Sequence, residues 1–220
     1  MVWVGQFGVV DGEAREDTPW VGVYRDEHRD EEDVSDLYVL VEPALPGSEE
    51  FTGEMKDAIG ENFHESKLSL TGGMLRALRS AHDSLRDWNR RSLVQHRVAA
   101  GISCVAVQGN EAYLAQVGPS RAVYFHDGKL QEIEPQVPEA KEALGLEDEF
   151  YPEFRRFELT PGDRLLLLSP GLGEALAGPE LAEALALTGE QALPEIYRQA
   201  QGQQNCAAVL VAATPAGDSE

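Results

Sequence analysis

The chain has 220 residues, room for one large domain or two small ones, and its 42% hydrophobic and 26% charged content is that of a folded globular protein, not a disordered or fibrous one. Its 39 acids outweigh 18 bases for a formal charge of -21. A surface that negative repels phosphate backbones and anionic headgroups, which argues against nucleic acid or a membrane as partner and leaves a protein partner or a divalent cation open.

No stretch is apolar enough to span a bilayer. The opening MVWVGQFGVVDGEARED has no basic segment ahead of an apolar one, so no secretory signal is read and a cytoplasmic location is expected. Residues 1–19 are read as an N-terminal extension, with Asp11-Gly12 as a hairpin turn. The charge-dense run from Arg25 to Asp36 reads as a solvated loop. LYVLVE, Leu37 to Glu42, is a buried strand that stops at Pro43. The acidic stretch 47–64 is helical in part, and Thr71 is expected to cap a longer helix. In that helix Met74, Leu78, Ala81, Leu85 and Trp88 recur at alternating four- and three-residue intervals. They form one core-facing stripe, with Trp88 near its rim.

From Val98 the period becomes that of strands. AAGISCVAV, EAYLAQVG and RAVYFHDGKLQEI, divided by Gly-Asn and Gly-Pro-Ser, read as an antiparallel meander. A strand from Phe154 to Leu159 leads into the turn TPGD, then the strand RLLLLS. Helical segments follow at Gly178–Leu187 and Glu190–Gln201, before the closing strand NCAAVLVAA and a frayed tail, 214–220. Strands and helices come in blocks, so the fold class is α+β with mostly antiparallel sheets in a single domain, 1–220. Cys104 and Cys206 lie in apolar runs and read as reduced core thiols, with a single bridge between them as the alternative.

Five strings taken together resemble the metal-dependent Ser/Thr protein phosphatases of the 2C (PPM) type. GNEAYLAQVGPSRAVYFHDGKLQEI is similar to the strands around that family's Gly-Asp-Ser-Arg, and FELTPGDRLLLLSPGL to its segment ending in Ser-Asp-Gly-Leu. QGQQNCAAVLVAA resembles the last strand, which opens with Asp-Asn. LYVLVEPALPG is similar to the strand ending in Val-Asp-Gly, and GVYRDEHRD to the opening Gly-x-x-Arg with its later Asp. The resemblance covers about residues 20–213. It implies a four-layer α-β-β-α sandwich, and hydrolysis of phosphoserine and phosphothreonine with a pair of Mn²⁺ or Mg²⁺ ions held by aspartates.

At those positions this chain has Glu42 followed by Pro43, then Pro119, Pro170 and Gln204. A proline ring coordinates nothing and a glutamine carbonyl brings no charge. Glu42 alone stays a competent ligand. Arg25 matches the family's phosphate-gripping arginine and Asp30 one of its aspartates, with Arg29 between them, so Arg25 and Arg29 are candidates for holding an anion. The flap beside the family's active site is cut to EPQVPEA after Ile133.

Other constellations carry less. His28, His64, His82, His96 and His126 lack paired metal spacing, neither cysteine starts a phosphate-cradling loop, and TGGM at Thr71 is no nucleotide loop. The expectation is therefore a catalytically inactive, pseudophosphatase-like member of the fold, with no metal or other cofactor. It would serve as a regulatory or binding module for a protein partner, a Ser/Thr kinase or a phosphorylated protein. The alternatives are a divergent phosphatase that recruits Glu42, Asp30 and acids of the 26–36 run for Mn or Mg, and a structural domain of a larger assembly.

Overall fold

The computed structural model of the chain describes residues 2–15, 18–25, 36–176 and 178–214. Its elements are β1 (Val2–Val10), β2 (Glu13–Arg15), β3 (Val21–Tyr24), β4 (Asp36–Pro43), α1 (Glu49–His64), α2 (Leu70–Arg91), β5 (Ala100–Gln108) and β6 (Glu111–Val117). They continue with β7 (Arg121–His126), β8 (Lys129–Ile133), β9 (Glu153–Glu158), β10 (Arg164–Leu168), α3 (Pro170–Ala175), α4 (Gly178–Leu185), α5 (Gly189–Gln199) and β11 (Cys206–Ala213). The strands form a six-stranded sheet, β2-β1-β11-β10-β7-β8, and a five-stranded one, β3-β4-β5-β6-β9.

Strand alternation builds the layers. On β4, Leu37, Val39 and Val41 pack under α1 and α2, while Tyr38 and Leu40 face the other sheet. On β11, Cys206, Ala208 and Leu210 meet the C-terminal helices, and Ala207, Val209 and Val211 enter the inter-sheet core. Every strand with two apolar faces is thus covered twice, which yields the α-β-β-α sandwich that the family resemblance implies. The stripe Met74, Leu78, Ala81 and Leu85 is buried. Trp88 stays 49% exposed at the rim, its ring edge-on to Phe51 at 4.9 Å.

Several local features differ from the sequence expectation. The cap of α2 is Ser69, whose hydroxyl accepts from Gly72 N at 3.4 Å. Thr71 already lies inside the first turn, where its own amide needs a partner. The three β-rich runs are not a meander. β6 pairs with β5 and β9, whereas β7 pairs with β10 and β8 in the other sheet, so Gly118-Pro119-Ser120 is a crossing between sheets. RAVYFHDGKLQEI is two strands turned at Asp127-Gly128, whose φ values of 49° and 71° suit a two-residue hairpin. Residues 2–15, set apart on sequence as an extension, are woven into the six-stranded sheet. β1 pairs with β11 from Val2↔Ala213 to Val9↔Cys206 and turns into β2 at Asp11-Gly12. Pro170 opens α3 at the first helical position behind Ser169, where a missing N–H does no harm.

Candidate functional site

The cleft opens where the inter-sheet layer runs out. Glu42 shares strand parity with Tyr38 and Leu40, so it points between the sheets at the end of β4, opposite Gly101 of β5. The crossing turn abuts that pair: a Cβ on Gly101 would stand 2.4 Å from Pro119 O. From the other sheet, Ser169 follows Leu165 and Leu167 on the inner face of β10, and Asn205 precedes β11. These groups meet in a cleft of about 250 Å³ lined by Trp20, Glu42, Pro43, Glu49, Ser169, Gly171 and Asn205. Four stretches singled out on sequence, around 42, 119, 170 and 204, therefore converge at one rim.

Their chemistry is uneven. Glu42 is 2% exposed, neither of its carboxyl oxygens has a hydrogen-bond partner among the described residues, and burial pushes its carboxyl well above the ordinary carboxylate range. Desolvation with no counter-charge is the cause. Ser169 Oγ accepts from Ala207 N at 2.9 Å and Asn205 Oδ1 from Asp11 N at 3.0 Å, so each oxygen already accepts one bond that holds a strand end. Gln204 is exposed; its carbonyl accepts from Gly12 N at 2.8 Å and its side chain lies against that hairpin turn. Glu49, at the start of α1, is the second carboxylate of the cleft.

A pair of divalent ions needs several anionic oxygens within one coordination radius. Among the described residues the donor set here is one buried carboxylate, one exposed one and two neutral oxygens that bring no charge. Among the described residues no three His, Cys, Asp or Glu side chains are grouped to hold a metal, so this set does not fit an ion pair.

The two remnants read from sequence are not brought to the cleft. Arg25 is exposed and pairs loosely with Asp36 at 3.9 Å. Because β3 and β4 run antiparallel with Tyr24 opposite Leu37, Arg25 sits at the end of the hairpin away from Glu42, about 20 Å along the strand. Asp30, Arg29 and the other acids of 26–35 lie outside the described residues. Trp20, Glu49 and Ser169 belong to the cleft and went unnoticed on sequence. Parity along RLLLLS points to Ser169; no local pattern marks Trp20. Cys104 and Cys206 are free and buried, and burial raises their thiols to about 12 and about 11, which keeps them protonated and inert. No described helix is long and apolar enough to cross a membrane.

This layered architecture with its cleft between sheets is the PPM-type Ser/Thr phosphatase fold. The chain is similar to the serine/threonine phosphatase of S. agalactiae (16% identity, TM-score 0.79, 97% of this chain and 100% of that one). It is also similar to the phosphatase Stp1 from Staphylococcus aureus (16%, 0.73, 97% and 95%). A third structure is the catalytic domain of the serine/threonine protein phosphatase PstP in complex with two manganese ions (17%, 0.70, 97% and 100%). No curated protein sequence matches significantly. Residues 51–220 match the family model described as Stage II sporulation protein E (SpoIIE), and the chain belongs to that family.

Proposed function

We propose that the chain is a non-hydrolytic member of its family, a pseudophosphatase that works as a binding or regulatory module in Ser/Thr phosphorylation signalling, with a kinase or a phosphorylated protein as its partner. One observation carries this reading: where four strand ends converge, Glu42 is the sole buried acid among the described residues, and the remaining corners offer Pro119, Ser169, Gly171 and Asn205. Removing acids from that rim relieves the repulsion that clustered carboxylates suffer without a cation, so the fold keeps its shape while its chemistry goes. The PPM architecture retained across nearly the whole chain supports a role that uses the surface.

A second reading has its own support. The two oxygens of Glu42 have no partner and Glu49 shares the cleft, as expected of ligands awaiting an ion, and PstP is solved with manganese. A divergent phosphatase would then use Glu42 and Glu49. Manganese titration by calorimetry together with hydrolysis of p-nitrophenyl phosphate separates the two. The first reading expects no micromolar binding, no turnover and a melting temperature indifferent to Mn²⁺ or EDTA. Micromolar Mn²⁺ binding with turnover, both lost in Glu42→Ala, establishes the second.

A further inference from the structure

Six of the 18 basic residues, Arg76, Arg79, Arg86, Arg90, Arg91 and Arg97, fall in the 28 residues from Leu70 to Arg97, which hold only two acids, Asp83 and Asp87. That segment carries +4, leaving -25 on the rest of the chain. Positive charge is therefore concentrated on α2 and the turn behind it, in a field that is otherwise repulsive to anions.

Three of these arginines surround a cavity of about 160 Å³ with Asn89, Gly145 and Asp148. Its floor is rigid. The buried Asn89 amide donates to the carbonyls of Val98 at 2.7 Å and Gly145 at 2.8 Å and accepts from Val98 N at 2.8 Å, tying the segment after α2 and the 145–150 loop to the helix. Gly145 has φ of 92°, and a Cβ there would stand 2.5 Å from Leu85. Arg86 Nη1 donates to Asp148 O at 2.7 Å, and Arg90 Nη2 pairs with Asp148 Oδ1 at 2.9 Å. Arg86 also meets Asp83 at 3.4 Å, but its Nε is buried without a partner. The Arg97 side chain makes no ion pair or hydrogen bond among the described residues.

The plain alternative is that basic residues favour a helix C-terminus. That accounts for Arg90 and Arg91. It does not account for Arg97, six residues beyond the helix, nor for an unsatisfied guanidinium nitrogen at a preformed pocket. One exposed carboxylate, Asp148, stands among three guanidinium groups.

We propose that the Arg86–Arg90–Arg97 pocket docks a phosphorylated Ser or Thr side chain of a partner protein, and that Asp148 occupies the arginine fork until the phosphoryl group displaces it. A phosphoryl group carries nearly two charges and three acceptor oxygens where Asp148 brings one charge and two, so it engages more of the available donors. Leu93 at 64%, Val94 at 74% and Leu146 at 36% exposure flank the arginines and supply apolar contact for the peptide on either side. The pocket lies on α2 and the 145–148 loop, outside the cleft, and does not depend on whether the cleft hydrolyses anything.

The test is retention of a degenerate peptide pool with a central phosphoserine on the immobilised full chain, against the same pool without phosphate, near physiological salt. The phosphorylated pool is retained at least about tenfold better, an advantage equivalent to 1.4 kcal/mol. Arg90→Ala with Arg97→Ala abolishes it while the melting temperature holds. Asp148→Asn raises it severalfold, and Glu42→Gln leaves it unchanged. Equal retention of the two pools, or indifference to the arginine changes, overturns the site. No gain in Asp148→Asn overturns the displacement. Competition by inorganic phosphate as strong as by phosphopeptide makes it a free-anion site and overturns the protein partner. Loss of retention in Glu42→Gln moves binding to the cleft.

Discussion

Asp163 and Glu42 are both acids sealed in the fold, each 2% exposed, and both belong to the inter-sheet face, Asp163 just ahead of β10 and Glu42 at the end of β4. Asp163 accepts from Thr160 N at 2.9 Å, Thr160 Oγ1 at 3.0 Å and Tyr124 OH at 2.8 Å, and meets His126 Nδ1 at 2.8 Å. Burial alone would push its carboxyl up, but these four bonds hold it below the usual range. Glu42 has burial and nothing to offset it. One end of the sandwich is thus closed by a satisfied polar network, and the other is left with a carboxyl that costs stability. A buried carboxyl without partners, set against a fully bonded one at the far end of the same sheets, marks a position whose side chain is not there for stability.

Breaking the satisfied end has the largest effect. Asp163→Ala strands the Thr160 amide and the Tyr124 hydroxyl and lowers stability by about 3 kcal/mol in urea unfolding; a loss under about 1 kcal/mol would mean the network is not the seal described. Its folded carboxyl lies below the unfolded value, so this contribution is present above the unfolded pKa and drains as pH falls through the folded one.

Glu42 has the opposite sign. Its folded carboxyl lies above the unfolded value, so the native state binds the extra proton and loses stability as pH rises beyond about 4.3. Glu42→Gln is therefore expected to stabilise by about 2 kcal/mol near pH 7 and by nothing near pH 4. A variant that is less stable than the parent at neutral pH would show that Glu42 has a partner, a cation included.

The same contrast explains what was legible in the sequence. The continuous apolar runs LYVLVE and NCAAVLVAA and the stripe from Met74 to Leu85 report burial directly, so the doubly covered strands, α2 and the fold class follow from them. The convergence of residues 42, 119, 170 and 204 was readable only through the resemblance to the PPM family, whose metal-holding aspartates stand at the matching positions. Crossing versus hairpin at Gly118-Pro119-Ser120 was not readable: a tight turn has the same residues whichever sheet the next strand joins. Arg25 was misplaced for a related reason, since a short string in a charge-dense run carries no information about which end of its hairpin it occupies. Asp163 and Asn89 act on partners 37 and 56 residues away, a relation that no local period records. The Arg86–Arg90–Arg97 pocket lay hidden in an ordinary amphipathic helix, where its arginines look like a solvated face.

The smallest expected effect tests how the closed end responds to pH. His126 is half-exposed, stacks on Tyr124 at 5.6 Å and faces two acids, Asp163 at 2.8 Å and Asp127 at 3.4 Å. The hydrogen bond and charge of Asp163 raise its pKa, with a smaller push from Asp127. A raised folded value means that the imidazolium's contribution is complete below the unfolded pKa, about 6.5, and is lost as pH rises through the folded one. His126→Gln should therefore lower the melting temperature slightly near pH 5.5 and not at all near pH 9. An NMR titration of the ring reads the same coupling without unfolding the protein. Its midpoint should lie above about 6.5 in the parent and return toward that value in Asp163→Asn, where the amide keeps the shape but not the charge. A midpoint at or below 6.5 in the parent would mean that solvent screens Asp163 from the ring, and the four-bond network would reduce to the three donors from Thr160 and Tyr124.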